Sequence, residues 1–386
     1  MQLVVSSVCS KYSCARSSSH IFVREILSCI SLRRGLKSLC FHGNKHLPGL
    51  VSSDVLKKGS IQPTTIQRCC MSSSDEGCSE SNLLSYPLTR GETVSYLQTT
   101  LDIQNPEKLL SRDRAEFLQR LIQQVKQKTP FTSMTFLSSQ EGPHLPSLSQ
   151  CKDAMMLAQG GNCMVINTFV KAVLENLGFK THQIPGSAYR WRDPLRDHHL
   201  AVVVRDLTQT GSTHLVDIGN QFHLCAPVSL DFRRASSTYK NRNILYKYFQ
   251  VSNGIIQFCQ EIQQPGTKPG NSQLIYYEDD KWWEVLITLR TMEEKNLSDA
   301  LKLNIDVLEA QKVTGVFNDL LLVGYYKDLW VNMKLKKCMT MTSDGRVEIT
   351  KIADNDHLTE MVLKYFPQFS LEQIRNTINN IDNSST

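Results

Sequence analysis

The stretch Gly160-Gly161-Asn162-Cys163 and the segment behind it constrain this chain more than any other. After the two glycines, apolar residues fall at 166, 169, 170, 173, 174 and 177. That is helical spacing with one buried face. Asn162 is a good N-cap and Gly178 a good terminating glycine, so a helix is predicted to start at or beside Cys163. A thiol there meets unpaired backbone N–H groups and the positive end of the helix dipole, surroundings that favour the thiolate. The glycines let another group approach the backbone closely. A cysteine so placed is more often an inert small hydrophobe, so a chemical role needs partners elsewhere in the chain.

The 386 residues predict two or three domains with ample core. An apolar content of 41%, with no run of eighteen apolar residues, argues against a membrane-spanning helix. The formal charge of +6 is unevenly spread. Residues 1–70 hold ten Lys/Arg against two acids, and the remainder is close to neutral. A near-neutral body gives no electrostatic case for a nucleic-acid partner. Cysteines divide too: six lie in 1–70, and the others are scattered at 78, 151, 163, 225, 259 and 338. No CxxC pair occurs, so no metal site is expected, and a reducing compartment is the reading.

Residues 1–86 read as a disordered basic leader and linker, outside any core. Ser31–Leu39 has the makings of a basic amphipathic helix, as in a mitochondrial transit peptide. An extension without an address, or a true start at Met71, fits equally. A cytoplasmic location is expected, with a mitochondrial one as the alternative if residues 1–70 are a transit peptide.

Residues 87–180 read as a helical domain: Leu109, Leu110, Phe117, Leu118, Leu121 and Ile122 recur at three and four, Pro130-Phe131 stops the run, and a short helix near Lys152–Ala158 leads into the glycines. Residues 181–290 read as an antiparallel sheet or barrel. His199–Arg205 and His214–Ile218 form a hairpin signal, and strands are expected at 246–251, 255–260, 273–277 and 283–290. Residues 291–386 mix a helix at Leu297–Leu308, strands at Leu320–Tyr326, Leu329–Thr342 and Val347–Ile352, and amphipathic helices at His357–Tyr365 and Leu371–Ile381.

His199 and Asp217 bracket the first hairpin. Set opposite each other, they centre the ladder on residue 208, inside the turn-like Thr208–Gly211. They would then share a face, with Cβ atoms about 5 Å apart. Setting His198 opposite Asp217 would centre the turn on Leu207-Thr208, which is poorer turn chemistry. Added to a cysteine at a helix start, the pair meets the needs of nucleophilic catalysis: a thiol, a base, and a carboxylate to orient the base.

Gly-Gly-x-Cys opening a helix (160–163), then His-Leu-x-x-x-Val (199–204), then Val-Asp-x-Gly (216–219) resembles the arylamine N-acetyltransferase family. Asn167 fits the family's Val-Asn after the cysteine, and Pro130-Phe131 its Pro-Phe before the active helix. The resemblance covers about 90–386. It implies an α+β fold of N-terminal helical bundle, β-barrel and C-terminal α/β lid around a papain-like Cys-His-Asp core. It implies ping-pong acetyl transfer from acetyl-CoA through a thioester on Cys163. His199 would be base and then acid, and Asp217 its orienter. The acceptor would be a small aromatic amine or hydrazine. By the same resemblance Phe131, Ala188 and Asn220 would line the acceptor pocket, and Lys312–Phe317 would fall near the CoA site. A monomer without metal is expected.

Departures from the family pattern are Gln159 for Arg, Thr132 and Ser133 for Glu-Asn, and Asn220 for Phe. They predict a wider, more polar acceptor pocket and weak or shifted activity on simple anilines. Two other readings stay open: a Cys-His-Asp thioester or amide hydrolase, and a catalytically silent binding homologue.

Overall fold

The computed structural model describes residues 86–188, 197–222, 224–262, 275–314 and 319–384. The leader, His223 and the end of the segment Lys312–Phe317 lie outside the described residues, as do the side chains of 312–314.

Six helices precede the first long strand. These are α1 (Arg90–Ser95, continued by a π turn at Tyr96–Thr100), α2 (Pro106–Arg112), α3 (Arg114–Lys128), α4 (Met134–Leu137), α5 (Leu148–Met156) and α6 (Cys163–Asn176). Local chemistry sets their ends. Thr89 and Ser147 each open a capping box, and Asp113 caps α3 through Ala115 N and Glu116 N. Asn162 caps α6 by accepting from Val165 N at 3.0 Å, and Gly178 ends it at φ +79°. The expected single buried face of α6 is wrong: every residue from Cys163 to Val170 is buried. The helix is the hub of the molecule, with α1, α5 and two central strands packed around it. Phe169, fully buried, meets the Tyr96 ring edge-on at 4.9 Å. Burying a side chain of that size contributes about 1.5–3 kcal/mol.

One sheet holds β2 (Lys180–Ala188), β3 (His199–Arg205), β4 (Thr213–Val216), β5 (Val228–Ser229), β6 (Tyr239–Asn241), β7 (Ile244–Ser252), β8 (Ile255–Glu261), β9 (Ile275–Glu278) and β10 (Lys281–Arg290). Its order is β5-β4-β3-β2-β10-β8-β7-β6, with β9 beside β10. The expected β-barrel is thus a curled half-barrel: the path has two ends, β5 and β6, and among the described residues no pairing joins them. Strand β2 is not expected from the sequence, because Lys180, His182, Gln183, Pro185 and Gly186 do not read as a central strand. It is central nonetheless. Pro185 sits one residue outside the ladder to β10, and buried Gln183 donates to Thr168 Oγ1 at 2.9 Å.

Beyond α7 (Leu297–Thr314) lies a second sheet, of β11 (Leu321–Tyr325), β12 (Leu329–Lys334), β13 (Lys337–Thr342) and β14 (Val347–Lys351), backed by α8 (Asn355–Tyr365) and α9 (Leu371–Ser384). The single strand expected over Leu329–Thr342 is two, joined at Leu335-Lys336. Its edge strand comes from far upstream: β1 (Phe131–Thr132) pairs with β11, Phe131 facing Val323. The helical region and the C-terminal sheet are therefore tied by backbone hydrogen bonds next to the Cys163 helix.

Candidate active site

The N-terminus of α6, the start of β3 and the end of β4 meet. Phe131 bridges to Gly161, and Thr132 N donates to Gly161 O at 3.0 Å, fixing the approach to Cys163. A Cβ at Gly160, which holds φ +77°, would fall 1.9 Å from Pro130 O, so only glycine fits between the two segments. Asn162, while capping α6, donates to Asn304 Oδ1 of α7 at 3.0 Å.

His199 and Asp217 do come together, but not by the expected register. Val202 faces Val216, so the place across from Asp217 falls at Ala201, and His199 stands two residues further along β3. A shift of two keeps the face, because side chains alternate with period two. His199 Nε2 lies 2.8 Å from Asp217 Oδ2, with both side chains buried. His198 is a neighbour of another kind: its backbone carbonyl lies 3.6 Å from Cys163 Sγ.

The Cys163 thiol and the Asp217 carboxyl both act electrostatically on the His199 ring. With Nε2 facing Asp217, Nδ1 is the nitrogen left for sulfur. Burial works against a charged His199, but the charges of Asp217 and Cys163 and hydrogen bonds to both outweigh it, raising the imidazolium to about 10. Burial likewise opposes an ionised Asp217. His199, Asn220 and Asn167 reverse this and hold the carboxyl below its ordinary range. The arrangement favours an imidazolium between carboxylate and sulfur.

The turn behind Asp217 is held from outside itself. Asn167 Nδ2 donates to Asp217 Oδ1 at 3.0 Å and to Leu200 O at 2.5 Å, and its Oδ1 accepts from Ile218 N and Gly219 N. A Cβ at Gly219 would fall 2.7 Å from Cys163 Cα, so the glycine of Val-Asp-x-Gly is a contact surface for the helix start. Asn167 is the organising residue that the sequence reading undervalued. The available signal is a carboxamide one turn after Cys163, in the wholly buried first half of the helix.

The three expected pocket residues are separated in role. Phe131 is buried and engaged through its backbone in β1. Ala188 ends β2, two residues past Gly186, which faces His199. Asn220 is buried, and its carboxamide is engaged inside the turn: Nδ2 donates to Asp217 O, while Oδ1 accepts from Phe222 N and Lys126 Nζ. Gln159 exchanges amide hydrogen bonds with Gln373 of α9 and donates to Gln368 O. Ser133 bridges Asp319 O and Leu321 N. The neutral residues at 159 and 133 thus tie the site's flank to the C-terminal sheet and helices.

Among the described residues, Cys151, Cys163, Cys259 and Cys338 are free thiols. Among the described residues no cluster of His, Cys, Asp and Glu is placed to hold a metal ion, and no helix is long and apolar enough to cross a membrane.

A family profile described as N-acetyltransferase matches residues 115–372. No curated protein matches the chain. Similar solved structures include the arylamine N-acetyltransferase from Salmonella typhimurium, at 14% identity over 76% of this chain and 99% of that one, with a TM-score of 0.59. The enzyme from M. tuberculosis is 15% identical over 75% of this chain and 99% of its own, with a TM-score of 0.56. The Mycobacterium marinum enzyme in complex with CoA is 14% identical over 75% and 98%, with a TM-score of 0.55. At such identities the structural likeness shows a shared fold of helices and a curled half-barrel sheet.

Proposed function

Because the chain belongs to the arylamine N-acetyltransferase family and is an acyltransferase enzyme, we propose that it moves an acetyl group from acetyl-CoA to a small aromatic amine or hydrazine through a thioester on Cys163. The observation that carries this reading is the buried His199 Nε2–Asp217 Oδ2 contact at 2.8 Å, on a ring that also feels the charge of the thiol at the start of α6. The CoA bound to the M. marinum relative supports the donor.

In the first half-reaction the Cys163 sulfur attacks the acetyl carbonyl. The carbon–sulfur bond to CoA breaks, and the leaving thiolate takes the proton that His199 holds. The developing oxyanion is met by N–H groups that the first turn of α6 leaves unpaired. In the second half-reaction an amine attacks the acyl-cysteine. An anilinic nitrogen is largely neutral near pH 7 and needs no prior deprotonation. His199 receives its proton as the amide forms, and the Cys163 sulfur is regenerated as leaving group. Asp217 keeps one ring tautomer aimed at sulfur throughout. A cytoplasmic setting, with free thiols, is part of the proposal.

Mass spectrometry of the intact protein after exposure to acetyl-CoA tests it. The expected result is one added acetyl group, mapped to Cys163 and cleared by an added arylamine with N-acetyl product formed. Release of free acetate at the same rate without amine would mark a hydrolase instead. A protein that stays unacetylated would return the chain to a binding role.

A further inference from the structure

Lys126 of α3 has no part in those steps, yet it lies buried beneath the turn that carries Asp217, with 2% of its surface exposed. Its ammonium donates to Asn220 O at 2.9 Å, Asn220 Oδ1 at 3.0 Å and Phe222 O at 2.9 Å. An ammonium has three donors and no acceptor, so the turn supplies one acceptor for each N–H. A neutral amine would face the same three oxygens with only two donors. The site is thus shaped for the charged form, although burial pushes the Lys126 ammonium down to about 8.

No carboxylate is in ion-pair contact with Lys126 among the described residues. The groups that face it are Asp217 at the end of β4, Cys225 past the turn, and the Tyr325 ring of β11, whose centroid is 4.9 Å from Nζ. Arg242 acts electrostatically on Cys225 and Tyr325. Asp217 is the one carboxylate in this set. A buried ammonium without a contacting counter-ion is costly, and an apolar side chain here would avoid that cost. What the ammonium does instead is fix the backbone oxygens of Asn220 and Phe222, while Asn220 Nδ2 holds Asp217 O at 3.0 Å and the Tyr325 hydroxyl donates to Gln221 O.

We propose that Lys126 is a positioning residue for the reaction: clamped under the Asp217–Phe222 turn, it holds the Asp217 carboxylate in line with His199, and through His199 acts on Cys163. The inference rests on the role given to Cys163 above.

The test is chosen to remain readable even if acetyl transfer fails. Ring-nitrogen NMR follows the titration of His199, assigned with a His199→Gln variant, in the native protein, Lys126→Met and Lys126→Arg. Positioning predicts that His199 titrates at least about one pH unit lower in Lys126→Met, because the carboxylate no longer sits squarely on Nε2, and that Lys126→Arg recovers part of the shift. Where acetyl transfer is present, kcat/KM should fall roughly 10–100-fold in Lys126→Met, mostly through acylation of Cys163. A rise of the His199 midpoint would mean that Lys126 acts only as a distant positive charge, and an unmoved midpoint that it merely fills space. Either result overturns the proposal. Should Lys126→Met not fold, the native protein labelled with [13C]lysine suffices. The His199 signal should then bend at the pH where the Lys126 methylene titrates, and a His199 curve with no such bend refutes the clamp.

Discussion

The hairpin of β3 and β4 ends in two aspartates held by opposite means. At the solvent end, Asp206 sits at φ 55° and makes its own turn. Its Oδ1 accepts from Gly211 N, while Ser212 Oγ accepts from Thr208 N and Gln209 N. At the buried end, Asp217 is held by Asn167, fifty residues away, and its turn by Lys126, ninety-four residues away. Both carboxyls lie below their usual range. For Asp206 the leading causes are the Lys180 hydrogen bond and the Gly211 N–H, while for Asp217 His199 and neighbouring amides must first overcome burial. One end of the hairpin is a self-contained turn, and the other is a junction of three layers. Chemistry that needs a fixed, dry carboxylate belongs at the junction.

Replacing Asp217 is the most severe way to probe that contrast. Asp217→Asn keeps the shape but presents an amide to Nε2, so the ring loses its charge partner and its preferred tautomer. Acetyl-transfer kcat is expected to fall roughly 10³–10⁴-fold, with substrate binding little changed. Melting curves should carry a matching signature. Because the His199 cation is raised to about 10, its contribution to stability is complete below its ordinary 6.5 and is lost as pH rises through about 10. Because Asp217 is lowered, its contribution is present above 3.8 and is lost as pH falls through its folded value. The native protein should therefore exceed Asp217→Asn in Tm most clearly between those limits. A variant with near-native kcat would show that His199 does not depend on this carboxylate.

A milder probe attacks the junction without touching a polar group. Gly219→Ala would place a methyl 2.7 Å from Cys163 Cα and 2.9 Å from both Cys163 O and Asn167 Nδ2. Two of these are backbone atoms of a helix buried on all sides, so neither can yield cheaply. A loss of about 1–3 kcal/mol is expected, seen as a Tm lower by several degrees, together with slower alkylation of Cys163 by iodoacetamide. An unchanged Tm would mean that the turn is free to back away from the helix, contrary to its dense hydrogen bonding.

The same division governs what could be read from the chain. The Asn162 cap, the Gly178 stop, the solvent-end turn and most strands beyond β3 are written within a few residues of where they act. Period-two patterning puts His199 on the face that meets Asp217 even with the register two residues off, because parity survives such an error. What it missed is long-range. β2 is a polar strand with Pro185 and Gly186 inside it, made central only by partners on both sides. β1 joins a sheet whose next strand, β11, begins at Leu321. Nothing local announces that Lys126 will claim the Asn220 carboxamide. Asn167 could be flagged as a polar intruder on α6, but not assigned to Asp217.

The smallest expected effect belongs to the solvent end. Asp206→Asn keeps an oxygen to accept from Gly211 N, and asparagine tolerates the left-handed backbone at this position. What it gives up is the contact of Lys180 Nζ with Asp206 Oδ2 at 2.8 Å, an exposed pair that water and salt screen. The change in Tm should stay within about 2 °C at neutral pH and shrink further in about 1 M salt. Because the carboxyl is lowered, whatever it contributes is present above 3.8 and disappears as pH falls through its folded value, so the two proteins should converge in acid. Acetyl transfer should be unaffected. If Asp206→Asn instead cut kcat, motion at the turn would be reaching His199 along β3, and the two ends of the hairpin would be one mechanical unit. That outcome would undo the separation on which the Asp217 and Gly219 experiments rely, because their effects could no longer be assigned to the junction alone.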